Sequence, residues 1–193
     1  MFREYCVAKF RKDGWTLVGD DLQNHPRSVV IAAPHTSNWD MVYSLAAFGL
    51  LDLPVRFTIK KEWLRFPFRS SLEGVGAIAI DRTPRQPGEK RPSAVEAMVR
   101  LFEENPGPLA LMITPEGTRS LRTRWKSGFY HVALGAEVPI LLGYLDYAKR
   151  EAGVGRIVHP TGDFDADMRI ISEFYRHVQG RHPEKFSLDE RYL

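Results

Sequence analysis

Short aliphatic or β-branched runs alternate with amphipathic segments along most of this chain, and that alternation leaves few folds open to it. Residues 28–33, 55–59, 77–80, 109–113 and 138–145 have the length and residue types of strands. Between them, residues 40–51 and 93–104 carry apolar side chains at helical spacing, the second through Val95, Met98, Val99 and Phe102. Strands that are apolar throughout are buried on both faces, and intervening helices are what covers them. The expected class is therefore α/β: a single-domain layered fold over residues 1–193, with a largely parallel central sheet flanked by helices and a motif-bearing core at about 29–145. The breaker-rich loops at 83–88 and 104–108 are too short to divide two domains. The polar tail from 181 to 193 is expected to fray.

Composition narrows the class further. With 44% hydrophobic and 26% charged residues in 193, the chain is neither disordered nor fibrous. Its one cysteine, Cys6, excludes an internal disulfide and a multi-thiolate metal site, and no metal site is expected. The first 15 residues lack the apolar core of a signal peptide, so a cytoplasmic location is expected. The longest uncharged apolar runs, 45–51 and 138–145, are far below the ~20 residues that span a bilayer.

The net charge of +3 understates a basic cluster of Arg56, Lys60, Lys61, Arg65, Arg69, Arg82, Arg85, Arg119, Arg122, Arg124 and Lys126. Such a cluster is either an ordinary solvated surface or a face for an anionic partner: a phosphate ester, an anionic membrane or a nucleic acid. No zinc ligands, recognition-helix motif or aromatic RNP-type strand accompanies it, so no nucleic acid is expected. Residues 57–69 interleave aromatic and basic side chains, which suits either a membrane-facing surface or a partly buried helix with its basic side outward.

Two polar clusters directly follow strands, at the end where open α/β sheets bind ligands. The first is His35-Thr36-Ser37-Asn38-Trp39-Asp40. A tight strand-to-helix turn can bring the Asp40 carboxylate to an imidazole nitrogen of His35, making a general base with its orienter. Ser37-x-x-Asp40 before an apolar run is also a capping-box pattern, so the residues alone leave Asp40 two roles. The second cluster is Thr114-Pro115-Glu116-Gly117-Thr118-Arg119-Ser120, where Gly117 permits close backbone approach, Thr118 and Ser120 offer hydroxyls, and Arg119 offers a fork for phosphate oxygens; it also fits a plain Pro-Gly turn. Asp81 and Arg82 follow a third strand. The G-x-G-x-x-A match at 74–79 precedes a strand instead of opening a helix, which removes the dinucleotide reading. No G-x-x-x-x-G-K-[ST], H-E-x-x-H or G-x-S-x-G is present, so direct attack by a substrate hydroxyl is favoured over an acyl-enzyme.

Taken together, His35-x-x-x-x-Asp40, residues 76–82 (Gly-Ala-Ile-Ala-Ile-Asp-Arg), residues 115–120 (Pro-Glu-Gly-Thr-Arg-Ser) and Val138-Pro139-Ile140 resemble the four ordered blocks of the glycerophosphate and lysophosphatidic acid acyltransferase family. Lys126-Ser127-Gly128-Phe129 follows the third block as in that family. The resemblance implies transfer of a fatty acyl group from acyl-CoA or acyl carrier protein to a hydroxyl of a glycerophosphate or lysophospholipid, in phospholipid biosynthesis and with no cofactor beyond the thioester. It implies His35 as general base with Asp40 as its partner, Arg82, Glu116, Gly117, Thr118 and Arg119 on the acceptor side, and Pro139 in the wall of the site. Glu116 would orient Arg119 or accept a glycerol hydroxyl. Members commonly carry a hydrophobic anchor before the first block, whereas residues 1–27 here are largely polar, so attachment to the inner membrane face is expected to be peripheral. A thioesterase-like hydrolase on the same residues and a non-catalytic lipid- or anion-binding module are the competing readings.

Overall fold

The computed structural model describes residues 2–19, 24–52, 55–59, 73–79 and 90–193. Its elements in chain order are α1 (Phe2–Lys12), β1 (Thr16–Val18), β2 (Arg27–Ala32), α2 (Trp39–Leu50), β3 (Val55–Ile59), β4 (Ala77–Ala79), α3 (Ala94–Glu104), β5 (Leu109–Ile113), α4 (Gly128–Gly135), β6 (Ile140–Asp146), β7 (Glu151–Val158) and α5 (Phe164–Tyr175). The seven strands form one sheet in the order β1-β7-β6-β2-β5-β3-β4, with every pairing parallel except β6 with β7. This is the expected α/β layering.

Alternation along the central strands sends side chains to two cores. Val29 and Ile31 of β2, with Leu109 and Leu111 of β5, pack beside Met98, Phe129 and Ile171, so α3, α4 and α5 cover one face. Val30, Ala110 and Leu141 face the other way, toward Phe48 of α2. On that same side α1 and α2 meet through Cys6, Phe10, Tyr43 and Ala46. From β2 the chain steps outward past β5 to β3 and β4, returns to β5, and then crosses β2 to reach β6. Adjacent strands whose onward connections leave on opposite faces part their loops at the carboxyl ends, and the crevice between β2 and β5 is such a place.

Local chemistry explains the boundaries. Ser93 and Glu96 form the capping box that starts α3: Glu96 N–H donates to Ser93 Oγ at 3.1 Å and Ser93 N–H to Glu96 Oε2 at 2.6 Å. Asp163 caps α5 by accepting from Ala166 N–H at 3.0 Å. Asp146 Oδ1 accepts from the N–H groups of Ala148 and Lys149, which turns β6 back into the antiparallel β7.

The tail is tied down, contrary to the expectation of fraying. Asp189 and Tyr192 are buried; Asp189 accepts from Trp125 N–H at 3.0 Å, and Tyr192 donates to Asp165 Oδ1 at 2.7 Å. Asp189, Arg191 and Tyr192 are spent on internal partners, which composition cannot reveal.

Candidate active site

β2 and β5 run side by side in parallel, so residues 33–40 and 114–120 emerge at the same rim. Glu116 joins the two loops directly: His35 N–H donates to its carboxylate, 3.0 Å from Oε2 and 3.2 Å from Oε1. His35 Nδ1 lies 3.2 Å from Asp40 Oδ2. The same oxygen accepts from Thr36 N–H and Ser37 N–H, each at 2.8 Å, while Oδ1 accepts from the Tyr147 hydroxyl at 2.7 Å. Ser37 Oγ accepts from Trp39 N–H at 3.2 Å. The Asp40 carboxylate thus supplies the reciprocal half of a capping interaction and holds the imidazole at once; the two roles left open by the sequence are not exclusive.

Electrostatics sets the two buried carboxyls apart. Burial is the largest influence on Asp40 and pushes its pKa up, but the hydrogen bonds from His35, Tyr147 and the Ser37 N–H outweigh it, leaving the group below the usual carboxylate value. An ionised Asp40 requires the proton on Nδ1 of His35, which leaves Nε2 with its lone pair. Glu116 goes the other way. Burial, opposed only by the His35 N–H bond and reinforced by the charge of Asp40, pushes it up to about 8. Burial and the neighbouring Asp40 charge likewise raise the Tyr147 phenol, so it stays a proton donor.

His35 and Asp40 open on a cavity of about 610 Å³, within the usual range for small-molecule sites. Around the rim it is lined by Thr114, Gly117, Arg119 and Lys126; away from the rim it follows α2 along Leu45, Ala47, Phe48, Val55, Phe57 and Met112. The lining is thus polar around the rim and mostly apolar away from it, with Ser44 and Thr58 among the aliphatic and aromatic side chains. A smaller, more open cavity shares His35, Thr114, Gly117 and Arg119 and adds Thr118 and Ser120. Gly117 has φ +66°, and a Cβ there would stand 2.6 Å from Lys126 Nζ, so the glycine makes room for an ammonium laid against the backbone. Arg119 and Lys126 are both exposed at this rim, and among the described residues neither pairs with a carboxylate. Nor, among those residues, do three His, Cys, Asp or Glu side chains gather as metal ligands would.

His35, Asp40, Glu116, Gly117, Thr118 and Arg119 are thus brought together. Pro139 is not. It precedes β6, which is parallel to β2, and its carbonyl accepts from Val29 N–H at 3.0 Å near the start of that strand; this places it at the opposite end of the sheet, away from the cavity wall it was expected to form. Glu116 is buried against the His35 backbone and makes no ion pair with Arg119, so the expected orientation of Arg119 is replaced by a tie between loops. Arg82 and Asp81 lie outside the described residues, as do residues 60–69 of the aromatic and basic stretch. Sequence reasoning missed Tyr147, which reaches Asp40 across 107 positions, and named Lys126 only within the basic cluster and after the third block, without a place in the site. The Lys126-Ser127-Gly128-Phe129 match was a usable signal for the latter; Tyr147 sits in a turn with no motif. No helix among the described residues is long and apolar enough to cross a membrane.

Comparison with known proteins agrees with the fold. No curated protein matches the chain by sequence. Among solved structures, the crystal structure of the 1-acyl-sn-glycerophosphate (LPA) acyltransferase PlsC from Thermotoga maritima is similar in fold, with a TM-score of 0.59 and 16% identity over 90% of this chain and 74% of that one. The Acyltransferase family model matches residues 16–141, a span that runs from β1 to the start of β6 and holds both rim loops. With about two thirds of its length under that model and a His-Asp pair at the mouth of a largely apolar cavity, the chain belongs to the Acyltransferase family.

Proposed function

We propose that this acyltransferase moves a fatty acyl group from a thioester of coenzyme A or acyl carrier protein to a hydroxyl of a glycerophosphate or lysophospholipid. The observation that carries the reading is the larger cavity, whose mostly apolar length leads to His35 and whose rim holds Arg119 and Lys126. An acyl chain suits the first lining and a phosphate the second. His35 Nε2 would take the acceptor's hydroxyl proton as its oxygen attacks the thioester carbonyl. Asp40 would stabilise the imidazolium so formed, and the collapsing tetrahedral intermediate would expel the thiolate, which takes that proton from His35. No covalent enzyme intermediate and no cofactor is needed. Arg82, Gly117 and Thr118 stay assigned to the acceptor side by their place in the family motifs.

The test is thiol release from long-chain acyl-CoA, with and without glycerol 3-phosphate and lysophosphatidic acid. Release that depends on acceptor supports the transferase. Acceptor-independent release would favour a thioesterase, and no release a binding module. Peripheral attachment to an anionic membrane belongs to the same proposal and rests on residues 57–69 of the sequence. Flotation with phosphatidylglycerol vesicles at low and high salt tests it, and equal recovery with neutral lipid overturns it.

A further inference from the structure

Beyond residue 141, where the family match ends, one stretch of chain touches both loops of the site. Its first part seats on the His35 loop. His182 N–H donates to Thr36 Oγ1 at 3.2 Å, and Gln179 carbonyl accepts from Tyr147 N–H at 2.9 Å. The Arg181 guanidinium lies 5.7 Å from the Trp39 ring centre and 5.9 Å from that of Tyr147. Gly180 passes so close that a Cβ would stand 3.0 Å from Pro34 Cβ and 3.1 Å from Thr36 Oγ1. Its second part seats on the loop that carries Arg119 and Lys126. Trp125 Nε1 donates to Ser187 carbonyl at 3.0 Å, Trp125 N–H to Asp189 Oδ2 at 3.0 Å, and Glu190 N–H to Thr123 carbonyl at 3.1 Å. Arg191 clamps Asp189 with Nε at 2.9 Å from Oδ1 and Nη2 at 2.6 Å from Oδ2, and Nη2 also reaches Trp125 carbonyl at 3.4 Å.

We infer that residues 179–192 form a brace that sets the His35–Asp40 pair and the Arg119–Lys126 cations at a fixed spacing, with Gly180 and Asp189 of the brace and Trp125 of the loop it holds as positioning residues. Glu116 ties the two loops from within, and the brace holds each from outside. Acyl transfer needs the acceptor's hydroxyl at His35 while its phosphate is gripped elsewhere, so the spacing of base and cations selects which acceptors react. A misplacement of about 1 Å far from the chemistry can cost as much as a hundredfold in rate. The inference rests on the proposed acyl transfer only for what the spacing is for; the brace itself is a statement about two loops.

The two ends are separable by experiment. Gly180→Ala pushes on Pro34 and Thr36, and is expected to lower kcat at least fivefold with acceptor KM within twofold. Trp125→Phe removes the indole N–H bond to Ser187, and Asp189→Asn weakens the grip on Trp125; each is expected to raise acceptor KM at least fivefold with kcat within twofold. Amide hydrogen exchange reads the loops without catalysis: it should rise at residues 35–40 in Gly180→Ala and at residues 117–126 in the other two, with β2 and β5 unchanged. Should Gly180→Ala fail to fold, Arg181→Gln, which removes the guanidinium from the Trp39 and Tyr147 rings, replaces it with the same expectations. Wild-type exchange at both loops with wild-type kinetics overturns the brace, and so does a uniform rise across the molecule with kcat and KM unchanged per folded enzyme. If the wild-type chain transfers no acyl group, the transfer reading fails, while the exchange pattern still decides the brace.

Discussion

The hydroxyl of Tyr147, in the turn after β6, donates to Oδ1 of Asp40 in α2 at 2.7 Å, so the carboxylate beside His35 is itself held from the turn of the neighbouring strand. Oδ2 is occupied by His35 and by two backbone N–H groups, which leaves the carboxylate little freedom to turn. Hydrogen bonds to a charged group contribute about 1.5–3 kcal/mol. Tyr147→Phe is therefore expected to lower kcat by roughly tenfold. With one donor gone, Asp40 loses an influence that holds its carboxyl below the usual value, so the acid limb of kcat/KM should move to higher pH. An unchanged pH profile in the folded variant would show that Tyr147 only packs.

Removing the base and removing its orienter should differ in degree. His35→Ala is expected to cost on the order of 10²–10⁴ in acyl transfer with the fold intact. Asp40→Asn keeps shape and much of the local hydrogen bonding but loses the charge that stabilises imidazolium, and a loss of at least about tenfold is expected. Near wild-type turnover in Asp40→Asn, measured by thiol release, would leave the carboxylate a helix-starting residue only.

Glu116 gives a stability signature of opposite sign to that of Asp40. Its folded pKa, about 8, is above its unfolded value near 4.5, so its contribution is fully present below pH 4.5 and is lost as pH rises through 8. Asp40, whose pKa is lowered on folding, contributes above its unfolded value near 3.8 and loses that contribution as pH falls. Between pH 5 and 8 the wild-type chain is expected to lose stability relative to Glu116→Gln, by at most about 1.4 kcal/mol per pH unit. Urea titrations of both proteins at pH 5, 6.5 and 8 check this, and parallel curves would place Glu116 ionised throughout.

The cations at the rim should act on the acceptor. Arg119→Lys loses the bidentate fork, and the acceptor KM is expected to rise about ten- to a hundredfold with little change in donor KM. Gly117→Ala forces a side chain into φ +66°, at a cost of about 1–2 kcal/mol, and displaces the Lys126 ammonium. It should therefore mimic Lys126→Met in acceptor KM, and the double variant should be little worse than either single one. A rise confined to donor KM would move both cations to the thioester side.

The strands 55–59 and 109–113 and the helix after Ser93 were legible because each is decided locally, by apolar alternation, by an unbroken apolar run and by apolar residues at helical spacing in turn. The His35 and Glu116 clusters were legible for a related reason: both follow a central strand, and parallel strands bring such ends to one rim. What the sequence hid was fixed by neighbours distant in the chain. β7 carries Gly153 and Gly155, whose missing side chains accommodate Val18 carbonyl and the Phe174 ring, so its strand pattern is broken by packing partners and not by its own propensity. α4 has buried residues on adjacent positions and glycine at both ends, which erases the amphipathic period. Pro139 was misplaced because a motif order says nothing of strand direction. The sequence by itself determined the layered class, the rim and His35 and Asp40 as a candidate pair; only the tertiary structure decided that Tyr147, Lys126 and residues 179–192 join them, because a hydrogen bond across 107 residues leaves no periodicity for a single chain to display.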